Sequence, residues 1–350
     1  MERNPYVINF GKVPKQYINR DILIDEIVQE LTDDDAQNQC FMLTGTRGSG
    51  KTVTMTAIEK EISNYDEWII IRLNPTRNML ESLVAKLYDS KEFLTKFIDS
   101  SVNLSKFGIG VNISSKSPVA DIESALEIIL RQIKKRHKKL LVTVDEVSNT
   151  TYMKEFASCF QIMIREELPI FLIMAGLYEN ISDLENEKDL TFLYRTPKYD
   201  MEPLNITLIA DRYEKTLGVD HESAQEMAAV TKGYPFAYQA LGKYLWDSKD
   251  RKLDREVLAK FDEALSHYVY RKIWSELSQT DRWYMSFIAT KDTMQLSELL
   301  ELTKKKKNEF SQYRARLIEK GLIDANTRGV IKCKLPRFNE FIKVEMVSKY

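Results

Sequence analysis

The sequence predicts an α/β fold: a parallel-sheet core, then an all-helical lid, then a C-terminal winged-helix domain. Short apolar runs that alternate with helical segments are typical of strands covered on both faces of a parallel sheet. The pattern is purely helical from residue 205, and beyond residue 278 it predicts three short helices followed by a hairpin. The predicted strands are 40–44, 68–73, 140–144 and 170–174, and the predicted domains are 1–203, 204–277 and 278–350.

The helix before the third predicted strand shows a clear helical period, because one face carries Ile122, Leu126, Ile129 and Ile133. An insertion, residues 93–118, precedes this helix. Within the insertion, residues 106–114 alternate apolar and polar side chains. This alternation predicts a hairpin or an added strand.

The composition is that of an ordinary globular protein. The 350 residues are 43% hydrophobic and 29% charged. No apolar run approaches the roughly 20 residues that span a bilayer. The first residues lack the apolar stretch of a secretory signal. We therefore expect a cytoplasmic protein with no membrane partner.

The three cysteines, Cys40, Cys159 and Cys333, are odd in number and far apart. Cys40 and Cys333 fall in predicted strands, which indicates buried, reduced thiols rather than a disulfide framework. The three histidines have no cysteine or carboxylate partner at ligand spacing. A structural metal site is therefore not expected.

The overall net charge of −1 conceals a division between the two ends of the chain. Residues 278–350 hold 15 Lys and Arg against 9 Asp and Glu, a balance of +6. The other residues hold 36 against 43, a balance of −7. If the chain binds nucleic acid, the contact is expected at the basic C-terminal end.

A glycine-rich motif, Gly45–Thr52, matches G-x-x-x-x-G-K-[ST] and lies directly between a predicted strand and a predicted helix. Its glycines let the backbone turn with N–H groups pointing inward around a β-phosphate. Lys51 is expected to reach the β- and γ-phosphates, and the Thr52 hydroxyl to bind Mg²⁺. The motif therefore predicts a site for ATP or ADP with Mg²⁺. The residues expected to contact the nucleotide here are Gly45, Thr46, Arg47, Gly48, Ser49, Gly50, Lys51, Thr52 and Val53.

The third predicted strand ends in two carboxylates, Asp145 and Glu146. Carboxylates at the end of a buried strand are costly unless they meet a cation. We expect Asp145 to be the partner of Mg²⁺, through water, and Glu146 to be the base that orients an attacking water. The separation of about 90 residues from the glycine-rich motif is that expected for two further βα units.

Together these motifs resemble the AAA+ superfamily of P-loop ATPases. Within it the chain resembles the origin-recognition-like ATPases of archaea and their bacterial relatives, and the related STAND signalling ATPases. The segment VPKQYINRD, residues 13–21, is similar to that family's adenine-packing segment, which implies adenine contacts for Tyr17, Ile18 and Arg20. The Gly-Tyr-Pro sequence that ends at Pro235 is similar to the STAND Gly-x-Pro motif, whose proline lies near the base.

The resemblance also bears on catalysis. Arg195 matches the family position of an arginine that meets nucleotide from a neighbouring subunit, which implies a homo-oligomer; a surface ion pair is the alternative. The fourth strand ends in Met174-Ala-Gly-Leu177, where the family places a polar sensor residue. The lid has Gly-Tyr-Pro where replication initiators keep a sensor arginine. These departures favour slow hydrolysis.

The C-terminal residues predict a winged helix. Its third helix carries Phe310, Tyr313 and Leu317 on a buried stripe, so the opposite face presents polar and basic residues. A hairpin follows that helix, and three basic side chains point outward from it. The residues expected to contact double-stranded DNA are Lys304, Lys305, Asn308, Ser311, Gln312, Arg316, Arg328, Lys332 and Lys334.

Three functions fit this sequence to different degrees. The main hypothesis is an ATP-gated, slowly hydrolysing ATPase whose winged helix binds DNA. Because winged helices also bind proteins, the alternative is a STAND-like signalling ATPase whose terminal module binds a protein partner. A metabolic P-loop kinase is disfavoured by the long helical tail and by the lack of a small-molecule lid signature.

Overall fold

The computed structural model describes residues 3–8, 14–89 and 121–347, and the chain divides into two compact units. The predicted hairpin at 106–114 lies outside the described residues. We call the two units the sheet unit and the helical unit. The sheet unit is Asp21–Thr44 with Lys51–Asp200, and the helical unit is Met1–Arg20, Gly45–Gly50 and Met201–Tyr350.

The sheet unit contains a five-stranded sheet in the order β2-β3-β4-β1-β5. Every pairing between neighbouring strands is parallel. All residues of β1 and β4 are buried, as continuous apolar strands in the middle of a parallel sheet require. The predicted α/β class is therefore confirmed. The strands are β1 Cys40–Thr44, β2 Trp68–Leu73, β3 Lys139–Val147, β4 Ile170–Gly176 and β5 Lys198–Asp200.

Helices with one apolar face cover this sheet. Asp121 caps α4 by accepting a hydrogen bond from the Ser124 N–H at 2.8 Å, and the apolar stripe that runs to Ile133 is buried as predicted. Thr150 caps α5 in the same way, through the Met153 N–H at 3.1 Å. The helices are α1 Asp21–Thr32, α2 Lys51–Ile62, α3 Met79–Asp89, α4 Ile122–Lys135, α5 Thr151–Arg165 and α6 Tyr178–Glu185.

Between residues 201 and 277 the helical unit has five α-helices and a single π-helical turn, and Asn205, Asp220 and Asp254 cap three of the helices. Beyond residue 278 it contains helices and a three-stranded antiparallel sheet in the order β6-β8-β7. The helices are α7 Ile206–Leu217, α8 His221–Thr231, α9 Pro235–Asp247, α10 Arg255–Leu265, the π-helix Ser266–Tyr270, α11 Arg271–Glu276, α12 Gln279–Ile288, α13 Leu296–Thr303, α14 Lys307–Glu319 and α15 Phe338–Val347. The strands are β6 Met294–Gln295, β7 Ile323–Asp324 and β8 Val330–Cys333.

One hydrophobic core runs through the helical unit, from the N-terminal Tyr6 to Ile342. The last helix, α15, is absent from the sequence-based prediction. It packs on the π-helix, since the Tyr270 ring lies 4.9 Å from that of Phe338 and 5.6 Å from that of Phe341. The helices before and after residue 277 therefore share one core, and the domain boundaries at 203 and 277 stay predictions.

The three cysteines are buried and unoxidised, as expected. Burial raises the pKa of Cys40 to about 12, so its thiol stays protonated. None of the helices in the described ranges is both long enough and apolar enough to cross a bilayer.

Candidate functional site

In the sheet unit, two contacts fix the start of α2 against the end of β3. The Thr52 hydroxyl donates a hydrogen bond to Asp145 Oδ2 at 2.6 Å. Two helical turns further along α2, Glu59 accepts a hydrogen bond from the Thr143 hydroxyl at 2.5 Å. Residues seven apart on a helix share a face, and so do residues two apart on a strand, so the two contacts repeat one register.

Glu59 is a buried carboxylate, 3% exposed, and it is paired with a cation from β2. Arg72 approaches it at 2.6 Å. The hydrogen bond and charge of Glu59 raise the pKa of Arg72. Removing Arg72 would leave the buried Glu59 without its cation, so this network links α2, β3 and β2.

The two carboxylates that end β3 have different surroundings. Asp145 accepts a second hydrogen bond, from the N–H of Glu146 at 2.8 Å, so both of its oxygens are held. Glu146 is exposed, with φ at 54°, and the β3–β4 register shifts between Val144 and Val147. Left-handed backbone is uncommon for residues other than glycine and tends to occur at functional sites. The bulge turns the Glu146 side chain away from the regular alternation of the strand.

Thr52 and Asp145 supply oxygens of the kind that a magnesium ion takes. The Thr52 hydroxyl donates to Asp145 Oδ2 at 2.6 Å, so the carboxylate lies beside the hydroxyl. Because Mg²⁺ keeps several of its waters when a protein binds it, the ion could take the Thr52 hydroxyl directly and Asp145 through a water.

In the helical unit, three consecutive carbonyls of the loop Gly45–Gly50 each accept a hydrogen bond. The Tyr234 hydroxyl donates to the Arg47 carbonyl. The N–H of Phe236 donates to the Gly48 carbonyl at 3.2 Å, and the guanidinium of Arg20 donates to the Ser49 carbonyl at 3.3 Å.

In a trans peptide the carbonyl and the following N–H point in opposite directions. The hydrogen bonds to these three carbonyls therefore direct the N–H groups of Gly48, Ser49 and Gly50 to the other side of the loop. The Ser49 N–H is used inside the loop, on the Thr46 carbonyl at 3.3 Å. Backbone N–H groups that point away from bonded carbonyls, such as those of Gly48 and Gly50, could act as donors to an anion.

The first turn of α9 supplies the contact from Phe236, the residue before the helix supplies the contact from Tyr234, and the sequence explains how. Pro235 is the first helical residue, where its missing N–H costs nothing. Tyr234 precedes it and forms no side-chain cap, so the free N–H of Phe236 bonds to the Gly48 carbonyl instead. Burial raises the pKa of Tyr234 above its ordinary value, so its hydroxyl remains a donor.

Gly48 and Gly50 both require glycine. Their φ angles are 74° and 94°, which other residues rarely adopt. A Cβ at Gly48 would also lie 3.0 Å from the Cβ of Phe236 and within contact of the Tyr234 hydroxyl. At Gly50 a Cβ would lie 3.6 Å from Cγ of Pro235, so this proline is adjacent to the loop.

Other predicted nucleotide contacts also lie in the helical unit. Ile18, 5% exposed, is part of its core, and Tyr17 beside it is half-buried. Ser49 is 4% exposed, and its hydroxyl has no hydrogen-bond partner within the part of the chain that is described. A buried hydroxyl without a partner is uncommon in a folded protein, and it fits a place where a ligand atom binds.

The predicted intersubunit arginine, Arg195, ends a 3₁₀ helix, Thr191–Arg195, of the sheet unit. It is exposed and forms no ion pair with any described residue. Tyr194 beside it is 69% exposed, and Lys198 lies 5.6 Å above the Tyr194 ring. The surface ion pair considered as the alternative for Arg195 is therefore absent from the described ranges.

The predicted DNA-contacting residues have two kinds of surroundings. Some are exposed on α14 and its flanks and form no ion pair within 4.0 Å of a described residue: Lys304, Asn308, Ser311, Gln312, Arg328 and Lys334. Others are held by carboxylates of the same unit. Arg316 donates to the buried Asp281 at 2.5 Å, while Lys305 lies 3.7 Å from Glu309 and Lys332 lies 3.3 Å from Asp324.

Sequence reasoning missed the residues that hold the loop from outside. Tyr234 and Phe236 flank Pro235, which the motif did indicate, so adjacency was a usable signal. The guanidinium of Arg47 binds Glu276 through two contacts, at 2.7 and 3.2 Å. Glu276 is 229 residues away in the chain, and no local pattern indicates it.

Two family models match the chain. Residues 17–180 match an ATPase domain predominantly from Archaea. Residues 267–342 match a domain of unknown function, DUF8462. No curated protein sequence gives a significant match.

Solved structures resemble the whole chain at low sequence identity. The Aeropyrum pernix ORC2 protein in its ADP form is 13% identical, with a TM-score of 0.50 over 98% of this chain and 97% of that one. The Aeropyrum pernix ORC1 protein in complex with DNA is 13% identical, with a TM-score of 0.48 over 99% and 98%. A STAND protein with a tetratricopeptide repeat sensor from Pyrococcus horikoshii is 12% identical, with a TM-score of 0.40 over 98% of this chain and 44% of that one. Residues 17–180 thus match the archaeal ATPase domain, and the chain shares the fold of the Aeropyrum pernix ORC2 protein.

Proposed function

We propose that this protein is a nucleotide-driven switch that binds ATP with Mg²⁺, hydrolyses ATP slowly, and binds double-stranded DNA through its C-terminal module. The contact between Thr52 and Asp145, at 2.6 Å, carries the ATPase part, since it joins the two motifs that such enzymes use. The archaeal ATPase family match over residues 17–180 supports the same conclusion.

The loop supplies an anion site from its backbone N–H groups alone. The N–H groups of Gly48 and Gly50 face one side of the loop, and α2 begins at Lys51, directly after Gly50, so its N-terminus adds further donors. The ammonium of Lys51 supplies positive charge to the β- and γ-phosphates. The Ser49 hydroxyl completes the set of donors.

Magnesium would be held by Thr52 and Asp145. When bound, Mg²⁺ neutralises charge on the β- and γ-phosphate oxygens. Glu146 is the base in this proposal: it is exposed at the bulge, and its carboxylate accepts the proton of the attacking water. Tyr17, Ile18, Arg20 and Pro235 form the adenine side.

Slow turnover follows from what the fourth strand and the lid do not provide. Strand β4 ends in Met174, Ala175 and Gly176, none of which can hydrogen-bond a phosphate through its side chain. The lid has Gly-Tyr-Pro at 233–235, and Tyr234 bonds to the loop backbone. Charge that develops on the transferred phosphoryl group is therefore stabilised by few donors, and each missing donor costs rate.

For the terminal module we propose a winged helix in which α14 enters the major groove. Its exposed face presents Asn308, Ser311 and Gln312, which can bond to base edges. Lys304, Lys306 and Lys307 are exposed beside them and can neutralise phosphates. Arg328 in the exposed turn before β8 and Lys334 directly after β8 extend the basic surface.

A protein partner is the second candidate for this module, and one observation favours it. Arg316, Lys305 and Lys332 are already paired with carboxylates of their own unit. DNA phosphates would have to displace those pairs. The two partly exposed lysine pairs are weak, with a free-energy gain of about 0–1 kcal/mol each, whereas the pair with the buried Asp281 is costly to break.

A titration of duplex DNA with the full chain in ATP, ADP or no nucleotide tests the proposal. We expect affinity to depend on the nucleotide and to fall with salt, with a log–log slope of about 0.9 per phosphate neutralised. Changing Lys304 and Lys305 to Ala should lower that slope by about 2 and weaken binding to all DNA sequences alike. Changing Asn308 or Gln312 should relax preference at one or two base pairs, by about 1–3 kcal/mol.

The matched control for that titration removes two charges elsewhere, by changing Lys249 and Lys252 to Ala. Both are exposed in the loop between α9 and α10, so DNA affinity should not change. If the full chain ignores duplex DNA at low salt in every nucleotide state, the DNA proposal fails. The protein-binding alternative then leads.

Arg195 is proposed to contact the nucleotide of a second copy of the chain. Its replacement by Ala should lower turnover only at protein concentrations where copies associate, because the arginine acts on the neighbouring site. Turnover per subunit should therefore rise with protein concentration in the wild type and stay flat in the variant. Arg165→Ala, an equal change on the exposed end of α5, is the control, and a concentration-independent wild-type rate contradicts the role.

A further inference from the structure

Arg47 is the third residue of the glycine-rich loop, yet its guanidinium is held by Glu276 of the helical unit. Nε lies 3.2 Å from Oε2 and Nη2 lies 2.7 Å from Oε1, so both carboxylate oxygens are engaged. This two-point geometry fixes the orientation of the guanidinium in addition to neutralising its charge. The Arg47 carbonyl is held as well, by Tyr234.

Glu276 is the last residue of α11, and only Leu277 separates it from Ser278, the cap of the first helix beyond the lid. Leu277 is buried, 3% exposed, and its carbonyl accepts a hydrogen bond from Arg282 of α12 at 3.0 Å. A short, buried connection therefore joins Glu276 to α12.

The electrostatics favour a persistent contact. Partial burial alone would raise the pKa of Glu276, but its hydrogen bonds and proximity to Arg47 and Lys272 outweigh that effect and leave its pKa below the ordinary value. Lys272 approaches Glu276 Oε1 at 3.2 Å from the preceding turn of α11. Lys272 therefore provides a control for Arg47, because it pairs with the same carboxylate but lies on α11 and not in the glycine-rich loop.

We propose that Arg47 and Glu276 form a latch that positions the phosphate-binding loop and couples its shape to the start of the terminal module. Arg47 is a positioning residue in this view, and its side chain serves Glu276 rather than phosphate. The latch adds a coupling element to the proposed nucleotide switch, and its biological role depends on that proposed function. The coupling itself is a property of the protein without nucleotide.

Hydrogen exchange of the full chain without nucleotide tests the coupling directly. A partly exposed two-point ion pair changes an equilibrium constant by about three- to tenfold. Glu276→Gln should therefore speed exchange of the loop amides, residues 45–50, by that factor. Arg47→Met should do the same at the start of α12, residues 277–283. Lys272→Met, which leaves the latch intact, should change neither segment.

Nucleotide affinity then separates positioning from direct contact. If the latch positions the loop, Arg47→Met and Glu276→Gln should each weaken ADP binding by about three- to tenfold, and the double variant should be no weaker than either. If Arg47 binds phosphate itself, Arg47→Met weakens ADP binding while Glu276→Gln does not, and the latch is overturned. Unchanged exchange in Glu276→Gln also overturns it. If the wild type binds no nucleotide, the proposed function fails, and the exchange data still decide the latch.

Discussion

Replacing Lys51 with Ala should abolish measurable ATP and ADP binding while leaving the fold intact. Lys51 begins α2, is half-buried, and belongs to neither hydrophobic core, so its loss costs the fold little. Removing one partner of a close charge pair costs about 2–5 kcal/mol, which is about 30-fold or more in Kd. Equilibrium titration with a fluorescent nucleotide, with thermal unfolding measured alongside, gives both quantities.

Lys60→Ala makes the same charge change at the other end of the same helix, on an exposed residue. It should bind nucleotide like the wild type. If Lys51→Ala binds nucleotide with wild-type affinity, the assignment of Gly45–Thr52 as the phosphate site is wrong, whatever the terminal module does.

Replacing Glu146 with Gln should leave nucleotide bound and stop its hydrolysis. The amide can hold a water molecule but cannot take its proton, and a general base contributes about 100- to 10,000-fold to a rate. ATP turnover should fall by that factor, with Kd for ATP changed by less than about twofold. A single-turnover measurement, with the protein in excess over ATP, separates the chemical step from product release.

The control for Glu146 is Glu155→Gln, on the exposed face of α5. Its turnover should match the wild type. Wild-type turnover in Glu146→Gln would mean that the base lies elsewhere, and Asp145, whose two oxygens accept hydrogen bonds from Thr52 and from the Glu146 N–H, would be the next residue to test.

The sheet and the loop were predictable because their signals are local. Apolar runs such as 40–44 and 170–174 indicate buried strands without knowledge of any partner, and the loop motif is contiguous. The positive φ of Glu146 was not predictable, since it depends on the shifted register between β3 and β4. The pairing of Arg316 with Asp281, 35 residues away, likewise depends on how α12 and α14 pack.

Helix α15 was overlooked although its apolar residues, Phe338, Phe341 and Ile342, have helical spacing. The segment is short and follows a predicted hairpin, so its sequence alone did not indicate a further helix. Its role depends on a surface that exists only after folding, namely the face of the π-helix at Tyr270. The contacts of Tyr234 and Glu276 with the loop likewise exist only after folding. They join segments that are distant in the chain and share no sequence pattern.

The continuous core of the helical unit limits how this chain can have been assembled from parts. A gene fusion or deletion with its junction at residue 277 would separate Tyr270 and Trp274 from Phe338 and Phe341, whose rings lie 4.9 to 6.3 Å apart across that point. Both products would carry an uncovered aromatic surface, which favours aggregation. A junction at residue 277 would therefore divide a single structural unit, whose core also includes Tyr6 and Ile18. Relatives with a different terminal module should also differ in the residues of α10, the π-helix and α11 that face it.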